Sequence, residues 1–257
     1  MIKALLKTIM NIVPRPLLIQ GSYIVQPFFV WWMRGDKFVD PIDNQGYKNL
    51  LPYGYGKQRS NVLSPGTLSL ERHRLMWLYL KNETDFFTKE AKVLHIAPEQ
   101  SFVKRFRKLE NLSYTTSDLE SPLADVKADI CDLPFEDNSY DVIFCNHVLE
   151  HIPDDAKAMS ELYRVMKPGG YGILQVPISY QREVTYEDPT ITSKEDRQRE
   201  FGQYDHVRVY GMDYYTRLEN AGFIVEKVDY TKQISAADVE KYCLEKGEIL
   251  PLVRKPL

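Results

Sequence analysis

Candidate ligand-binding side chains follow three predicted strands, at the point where each strand ends. They are His95, Ala97 and Glu99 at and after the end of the first strand, Asp118 and Leu119 after the second, and Asp129 and Ile130 at the end of the third. Because ligands of parallel sheets bind outside the carboxyl ends of the strands, we expect these residues to line one cleft. Asp118 is placed to accept both hydroxyl hydrogens of a ribose, in charge-assisted bonds of about 1.5–3 kcal/mol each. Asp129 and Ile130 would bracket an adenine. The alternatives are a loop or capping acid at Asp118 and a solvated turn at Asp129.

The loop after the first strand, residues 95–101, contains no glycine. A pyrophosphate needs the close backbone approach that a G-x-G-x-x-G loop provides, so this loop disfavours a dinucleotide. The carboxylate of Glu99 would repel a phosphate and attract a cation. The residues therefore favour a nucleoside that carries positive charge.

Two histidines, His151 and His206, are candidate general bases, because both are expected in loops after strand ends and neutral imidazole accepts a proton near pH 7. A loop-orienting role for His151 and a structural role for His206 are the alternatives. His73 would help to bind an anionic acceptor, or it lies on a solvated or core-bridging helix face.

The segment 178–210 is too long for a simple connection. We interpret it as a lid that closes over the acceptor, with a partly disordered surface excursion as the alternative. Its candidate substrate contacts are Tyr180, Arg182, Tyr204 and Arg208.

The elements that must position these residues alternate between strands and helices from residue 91 onward. Helices are predicted at 101–109, 154–166 and 212–220, and strands at 93–96, 112–116, 127–130, 140–145, 171–176, 223–230 and 249–254. This alternation is typical of an α/β fold, here a Rossmann-like, doubly wound, mostly parallel seven-stranded sheet with an N-terminal helical arm.

Three segments carry a resemblance to a known family: 132–141, 146–152 and 161–170. They resemble class I S-adenosylmethionine-dependent methyltransferases, in the broad group that includes the ubiquinone and menaquinone biosynthesis methyltransferases. A closer subgroup is similar at Leu70–Arg74, His95–Glu99 and Asp205–Arg208, so the resemblance covers about residues 52–257. It implies S-adenosyl-L-methionine as the cofactor and adds Asn146 and His147 to the cofactor-binding residues.

The chain departs from these families at two places. The usual acidic-x-Gly-x-Gly loop is His95-x-Ala97-x-Glu99 here, so cofactor binding must be shaped differently and a loss of turnover stays open. The subgroup's Cys-Pro-x-Cys pattern is replaced by Ser64-Pro65-Gly66-Thr67. Without thiolate ligands we expect no structural zinc, and we predict no other metal.

Composition excludes several classes of protein. The 257 residues are 44% hydrophobic and 27% charged, which is ample for a globular core. The net charge of -3 disfavours nucleic acid as a partner. Cys131, Cys145 and Cys243 form no Cys-x-x-Cys pair, which is typical of buried thiols in a reducing, cytoplasmic setting.

The first 35 residues form an arm with four basic residues and no acid, in which apolar residues at helical spacing precede an aromatic stretch at 28–33. Polar residues interrupt it, so a run of about 20 apolar residues is missing. We interpret 1–35 as an amphipathic arm at the inner face of a membrane. Packing on the core or a partner chain, or true spanning, are the alternatives. Residues 36–90 would connect this arm to a domain at 91–257.

The sequence thus predicts methyl transfer to a small-molecule or lipid-linked acceptor. Whether oxygen, nitrogen or carbon is methylated stays open. A binding or scaffold protein at a membrane surface that has lost turnover is the second hypothesis. A dinucleotide-dependent oxidoreductase is disfavoured by the missing phosphate loop.

Overall fold

The computed structural model describes residues 21, 26–54, 58–121 and 124–257. The chain forms two compact units: the described residues up to Glu83 with Tyr230–Glu248, and Thr84–Asp229 with Ile249–Leu257. This division differs from the predicted domain at 91–257, because 230–248 groups with the amino-terminal unit. The amphipathic helix predicted within the first 20 residues lies outside the described residues.

The amino-terminal unit contains two short antiparallel hairpins followed by a helix. Strand β1 (Arg34–Asp40) pairs with β2 (Gln45–Tyr47), and β3 (Leu51–Tyr53) pairs with β4 (Arg59–Leu63). Helix α1 spans Glu71–Glu83, residues 26–32 are also helical, and a short helix spans Ala236–Lys241. Within the described ranges, no helix is both long and apolar enough to cross a membrane.

Arg74 explains why residues 230–248 belong to this unit. Its side chain is fully buried. The guanidinium donates hydrogen bonds to the carbonyl oxygens of Val62 and Ser69, both at 2.9 Å, and to those of Tyr242 at 2.7 Å and Cys243 at 2.8 Å. One side chain therefore ties the start of α1 to a segment far along the chain.

His73 serves the helix rather than an anionic acceptor. It is buried, and its Nδ1 accepts a hydrogen bond of 3.0 Å from the backbone N–H of Leu70. This bond satisfies one of the N–H groups that the start of a helix leaves unpaired. The structure thus favours the core-facing alternative for His73.

The second unit is built on the predicted seven-stranded sheet. Its strands in chain order are β5 (Ala91–Ile96), β6 (Leu112–Asp118), β7 (Val126–Lys127), β8 (Tyr140–Cys145), β9 (Met166–Ile173), β12 (Ile224–Val228) and β13 (Leu250–Arg254). In space they lie in the order β12-β13-β9-β8-β5-β6-β7. All neighbours are parallel except β13, which is antiparallel to both β9 and β12. The predicted mostly parallel α/β fold is confirmed.

Four helices accompany this sheet: α2 (Gln100–Phe106), α3 (Asp155–Val165), α4 (Lys194–Phe201) and α5 (Tyr214–Asn220). Several strand boundaries differ from the prediction, and those of β7 and β9 affect residues named above. β7 ends before Asp129, whose carboxylate accepts the N–H of Cys131 and forms a turn. β9 begins at Met166, so Pro168 and its two glycines lie within the strand, where the pairing with β8 is irregular.

The segment 178–210 is a folded insertion rather than a disordered excursion. Strand β10 (Tyr186–Glu187) pairs with β11 (Arg208–Val209), and α4 lies between them. A bridge between Ile178 and Tyr210 closes its base. Its closure over an acceptor stays a prediction.

Candidate functional site

The loop after β5 holds a non-glycine residue in a glycine-like conformation. Ala97 has φ +47°, and its N–H donates to the carbonyl oxygen of Ser117 at 2.8 Å. An L-residue in the left-handed region costs roughly 1–2 kcal/mol, so the surrounding structure must enforce this turn. The loop therefore follows a path that glycine would normally take, although no glycine is present.

Glu99 and Asn146, both predicted to bind the cofactor, are brought together at the carboxyl ends of β5 and β8. Asn146 Nδ2 donates to Glu99 Oε2 at 3.1 Å, and Asn146 Oδ1 accepts from the N–H of Gln175 at 3.3 Å. Glu99 also begins α2. The carboxylate is therefore held in place at one edge of the sheet, where parallel sheets bind their ligands.

The position of His95 differs from that of a direct cofactor contact, which the sequence predicts. Its ring is fully buried, and Nδ1 lies 2.7 Å from the hydroxyl oxygen of Tyr114. The ring packs among Phe102, Phe106 and Phe144. A central parallel strand is covered on both faces, which is why a polar residue at the strand's end is enclosed. Its influence on the site is indirect, since Nε2 lies 3.8 Å from Glu99 Oε2.

Asp118 lies at the end of β6 with its carboxylate oriented by the following turn. Oδ1 accepts the N–H groups of Glu120 at 2.7 Å and Ser121 at 2.6 Å. Among the described residues no donor binds Oδ2. Next to it, Leu119 is 62% exposed. A fixed carboxylate beside an exposed apolar side chain is an arrangement that suits a ribose and an aromatic base.

The pair at 129–130 is divided between solvent and core. The exposed Asp129 uses Oδ1 for the N–H of Cys131 at 2.8 Å, as in the solvated turn that was the alternative, while Ile130 is buried in the core of the unit. The adenine contact of this pair stays a prediction.

The loop after β8 contains a buried carboxylate that the sequence analysis missed. Glu150 is 2% exposed, and its Oε1 lies 3.3 Å from Nδ1 of His147. Burial opposes ionisation of Glu150, but the hydrogen bond and charge of His147 outweigh it and lower the pKa of this carboxyl below its ordinary value. An acidic residue between two histidines in an otherwise apolar segment was the available signal.

The two predicted bases lie together. The rings of His151 and His206 are perpendicular, with centroids 4.7 Å apart. His151 is half-buried and its Nδ1 lies 3.2 Å from the carbonyl oxygen of Asp205. Burial lowers the pKa of His206 below its ordinary value, against the opposing influence of Glu150. Burial therefore favours the neutral form of the His206 ring.

The position of Arg208 differs from that of a substrate contact, which the sequence predicts. It is buried, and its guanidinium donates to the carbonyl oxygens of Leu149, Ile152 and Pro153 and to the carboxylate of Glu187. These bonds use the donors that a substrate would need. Arg208 instead fixes the loop after β8 against the insertion.

The remaining predicted substrate contacts, Tyr180, Arg182 and Tyr204, lie on the exposed surface of the insertion. The guanidinium of Arg182 lies 5.1 Å from the ring centroid of Tyr186, and Lys194 lies 5.6 Å from that of Tyr204. Their contact with an acceptor stays a prediction. The three cysteines are free thiols, and burial raises the pKa of Cys145.

Part of the chain matches a known protein family. Residues 79–174 match a family described as methyltransferase domain. A segment of 48 residues is 44% identical to demethylmenaquinone methyltransferase of Staphylococcus carnosus, covering 19% of this chain and 20% of that protein. A segment of 36 residues is 50% identical to phosphoethanolamine N-methyltransferase 2 of Caenorhabditis elegans, covering 14% of this chain and 8% of that protein. The matched segments thus span at most a fifth of these relatives.

Among solved structures, the [4+2]-cyclase SpnF has the same fold. The TM-score is 0.51 at 18% identity, over 74% of this chain and 84% of that chain. At this identity the likeness concerns the fold alone.

We predict that Ala97→Gly stabilises the protein. Glycine relieves the left-handed strain, so the free energy of unfolding should rise by up to about 1 kcal/mol in urea denaturation. The control is Ala156→Gly, at an exposed site in α3, which should lower it by up to about 1 kcal/mol. If the free energy of unfolding falls as much in Ala97→Gly as in Ala156→Gly, the backbone at Ala97 is not strained.

Proposed function

We propose that the chain transfers a methyl group to a small-molecule or lipid-linked acceptor, because residues 79–174 match a methyltransferase domain. The family match indicates S-adenosylmethionine as the cofactor. The observation that carries the proposal is the cluster of Ala97, Glu99 and Asn146 at the carboxyl ends of β5 and β8, with Asp118 at the end of the neighbouring strand.

The residues of this edge suit a cationic nucleoside better than a dinucleotide. Glu99 and Asp118 are carboxylates, and the loop that would have to cradle a pyrophosphate has alanine and proline where glycines are needed. S-adenosylmethionine supplies an electrophilic methyl group on a sulfonium. Its positive charges are attracted by the carboxylates that would repel a phosphate.

Each residue has a proposed task. Asp118 accepts the ribose hydroxyls, for which its carboxylate is already oriented by the turn at 120–121. Leu119 covers one edge of the base. Glu99, fixed by Asn146, attracts the cationic end of the cofactor. Because these groups are held before the ligand arrives, little ordering entropy is lost on binding.

The acceptor is proposed only as a class. The two curated relatives are named for a quinone precursor and for phosphoethanolamine, an aromatic lipid and a charged small molecule. Tyrosine and arginine side chains on the exposed insertion, Tyr180, Arg182 and Tyr204, suit either kind. No observation in the structure or the comparisons favours the inactive scaffold.

Replacing Asp118 tests the cofactor site. Asp118→Ala should weaken S-adenosylmethionine and S-adenosylhomocysteine alike by about 10–100-fold in calorimetric titration, because both ligands contain the ribose. The control is Asp188→Ala, which removes a comparable turn, since Asp188 Oδ1 accepts the N–H of Thr190 at 2.8 Å. If Asp118→Ala binds both ligands as tightly as Asp188→Ala does, the ribose contact lies at another residue.

Turnover is measured with methyl-labelled S-adenosylmethionine and a panel of quinols and phosphorylated amino alcohols. We expect label in one class of acceptor and a matching yield of S-adenosylhomocysteine, both reduced in Asp118→Ala. Tight cofactor binding without transfer to any acceptor would favour the scaffold hypothesis.

We also propose that the amino-terminal unit binds a membrane surface. In the helical residues 26–32, Phe28 is 61% exposed, Trp31 68% and Trp32 62%. Arg34 and Lys37 follow directly, and aromatic residues next to basic ones are typical of segments that lie in a lipid interface. This exposure supports interfacial binding over packing on the protein's own core.

The membrane proposal predicts that Trp31→Ala/Trp32→Ala loses binding to vesicles of phosphatidylcholine with phosphatidylserine in flotation assays. Two interfacial indole rings are removed, so binding should fall by at least 10-fold. The control is Val184→Ala, which removes an exposed apolar side chain from the insertion. Equal flotation of both variants would refute this assignment, and cofactor affinity should be unchanged in both.

A further inference from the structure

Three side chains with metal-ligand chemistry converge where the loop after β8 meets the insertion. Glu150, His151 and His206 each offer one ligand atom, and these atoms all lie within 4.8 Å of one another. The N–H of Val207 donates to the carbonyl oxygen of Glu150 at 2.9 Å, which holds the two segments together. Arg208 binds three carbonyl groups of the same loop. These hydrogen bonds to the backbone of the loop therefore fix the position of the cluster.

Two polar atoms of these side chains are buried without a partner among the described residues. They are Oε2 of Glu150 and Nε2 of His206, in side chains that are 2% and 6% exposed. Buried polar atoms are almost always hydrogen-bonded, and a buried carboxylate oxygen with no donor is costly. Two such atoms in the side chains of one cluster therefore indicate a bound group that supplies what the protein does not.

The other polar atoms of Glu150 and His151 contact neighbouring protein groups. Nδ1 of His151 lies 3.2 Å from the carbonyl oxygen and 3.6 Å from the carboxylate of Asp205. Oε1 of Glu150 faces Nδ1 of His147 at 3.3 Å. Metal-binding histidines usually donate their second ring nitrogen to a carbonyl or carboxylate in this way. The contacts leave Nε2 of His151 as its ligand atom.

We propose that Glu150, His151 and His206 bind a divalent transition-metal ion. Two imidazoles and one carboxylate suit zinc, manganese, iron or cobalt, whereas magnesium and calcium prefer oxygen ligands. The ligand atoms of a tetrahedral zinc ion lie about 2.1 Å from the metal and about 3.4 Å from one another. Side-chain rotations that move these atoms by about an ångström would therefore form the site. This proposal replaces the expectation of no metal and does not rest on methyl transfer.

An alternative role for the cluster is general-base catalysis by His151 and His206, whose rings are in edge-to-face contact. That arrangement accounts for the perpendicular rings of His151 and His206. It leaves the unpartnered oxygen of Glu150 unexplained, because the carboxylate needs a cation or a donor on that side. The metal accounts for both observations.

The test is a zinc titration of the full chain, stripped of metal with a chelator, in competition with a fluorescent indicator. We expect one site of micromolar affinity or tighter. Glu150→Gln and His206→Asn should each weaken it by about 100-fold or more, since even outer contacts of metal sites contribute 10–100-fold. The control is Cys131→Ser, which removes a partly buried thiol and should bind zinc like the unaltered chain.

Absence of zinc binding in the unaltered chain, or equal affinity in all variants, would overturn the proposal. X-ray absorption of the zinc-loaded unaltered chain needs no variant: imidazole and oxygen neighbours support the site, and sulfur neighbours refute it. Unchanged affinity of His206→Asn for S-adenosylhomocysteine shows that the variant is folded. Failure of the metal site is thereby distinguished from failure of the proposed methyltransferase function.

Discussion

One buried guanidinium organises the functional end of the second unit. Arg208 donates to three carbonyl groups between Leu149 and Pro153 and to the carboxylate of Glu187, and its side chain is only 3% exposed. Removing it would leave these carbonyl groups without a donor, which typically costs about 1–3 kcal/mol for each group that stays buried. Together with the hydrogen bond from Val207 to Glu150, Arg208 holds the loop after β8 and the insertion, which carry Glu150, His151 and His206, in their mutual position.

The loop after β5 combines a strained backbone with a fixed carboxylate. Ala97 adopts a left-handed conformation that glycine would adopt without strain, and Glu99 is fixed by Asn146 where β5 and β8 end. The absence of glycine disfavours close approach of a pyrophosphate, whereas the carboxylate of Glu99 suits a cationic nucleoside. The loop therefore favours a cationic nucleoside over a dinucleotide.

Much of the fold could be predicted from the sequence, because apolar runs and turn residues mark each strand of the sheet locally. The placement of Asp118 and Glu99 was also predictable, since the carboxyl ends of parallel strands meet at one edge, and the family resemblance added Asn146. The burial of His95, the carbonyl contacts of Arg208 and the isolation of Glu150 were not. These depend on contacts between segments about 20 to 60 residues apart, which local periodicity does not encode.

The central claim is that a glycine-free first loop still binds an adenosyl sulfonium. Calorimetric titration of the unaltered full chain with S-adenosylmethionine, S-adenosylhomocysteine and NAD tests it directly. The account predicts micromolar binding of both adenosyl compounds and none of NAD. Binding of NAD, or of neither adenosyl compound by a folded sample, would contradict it.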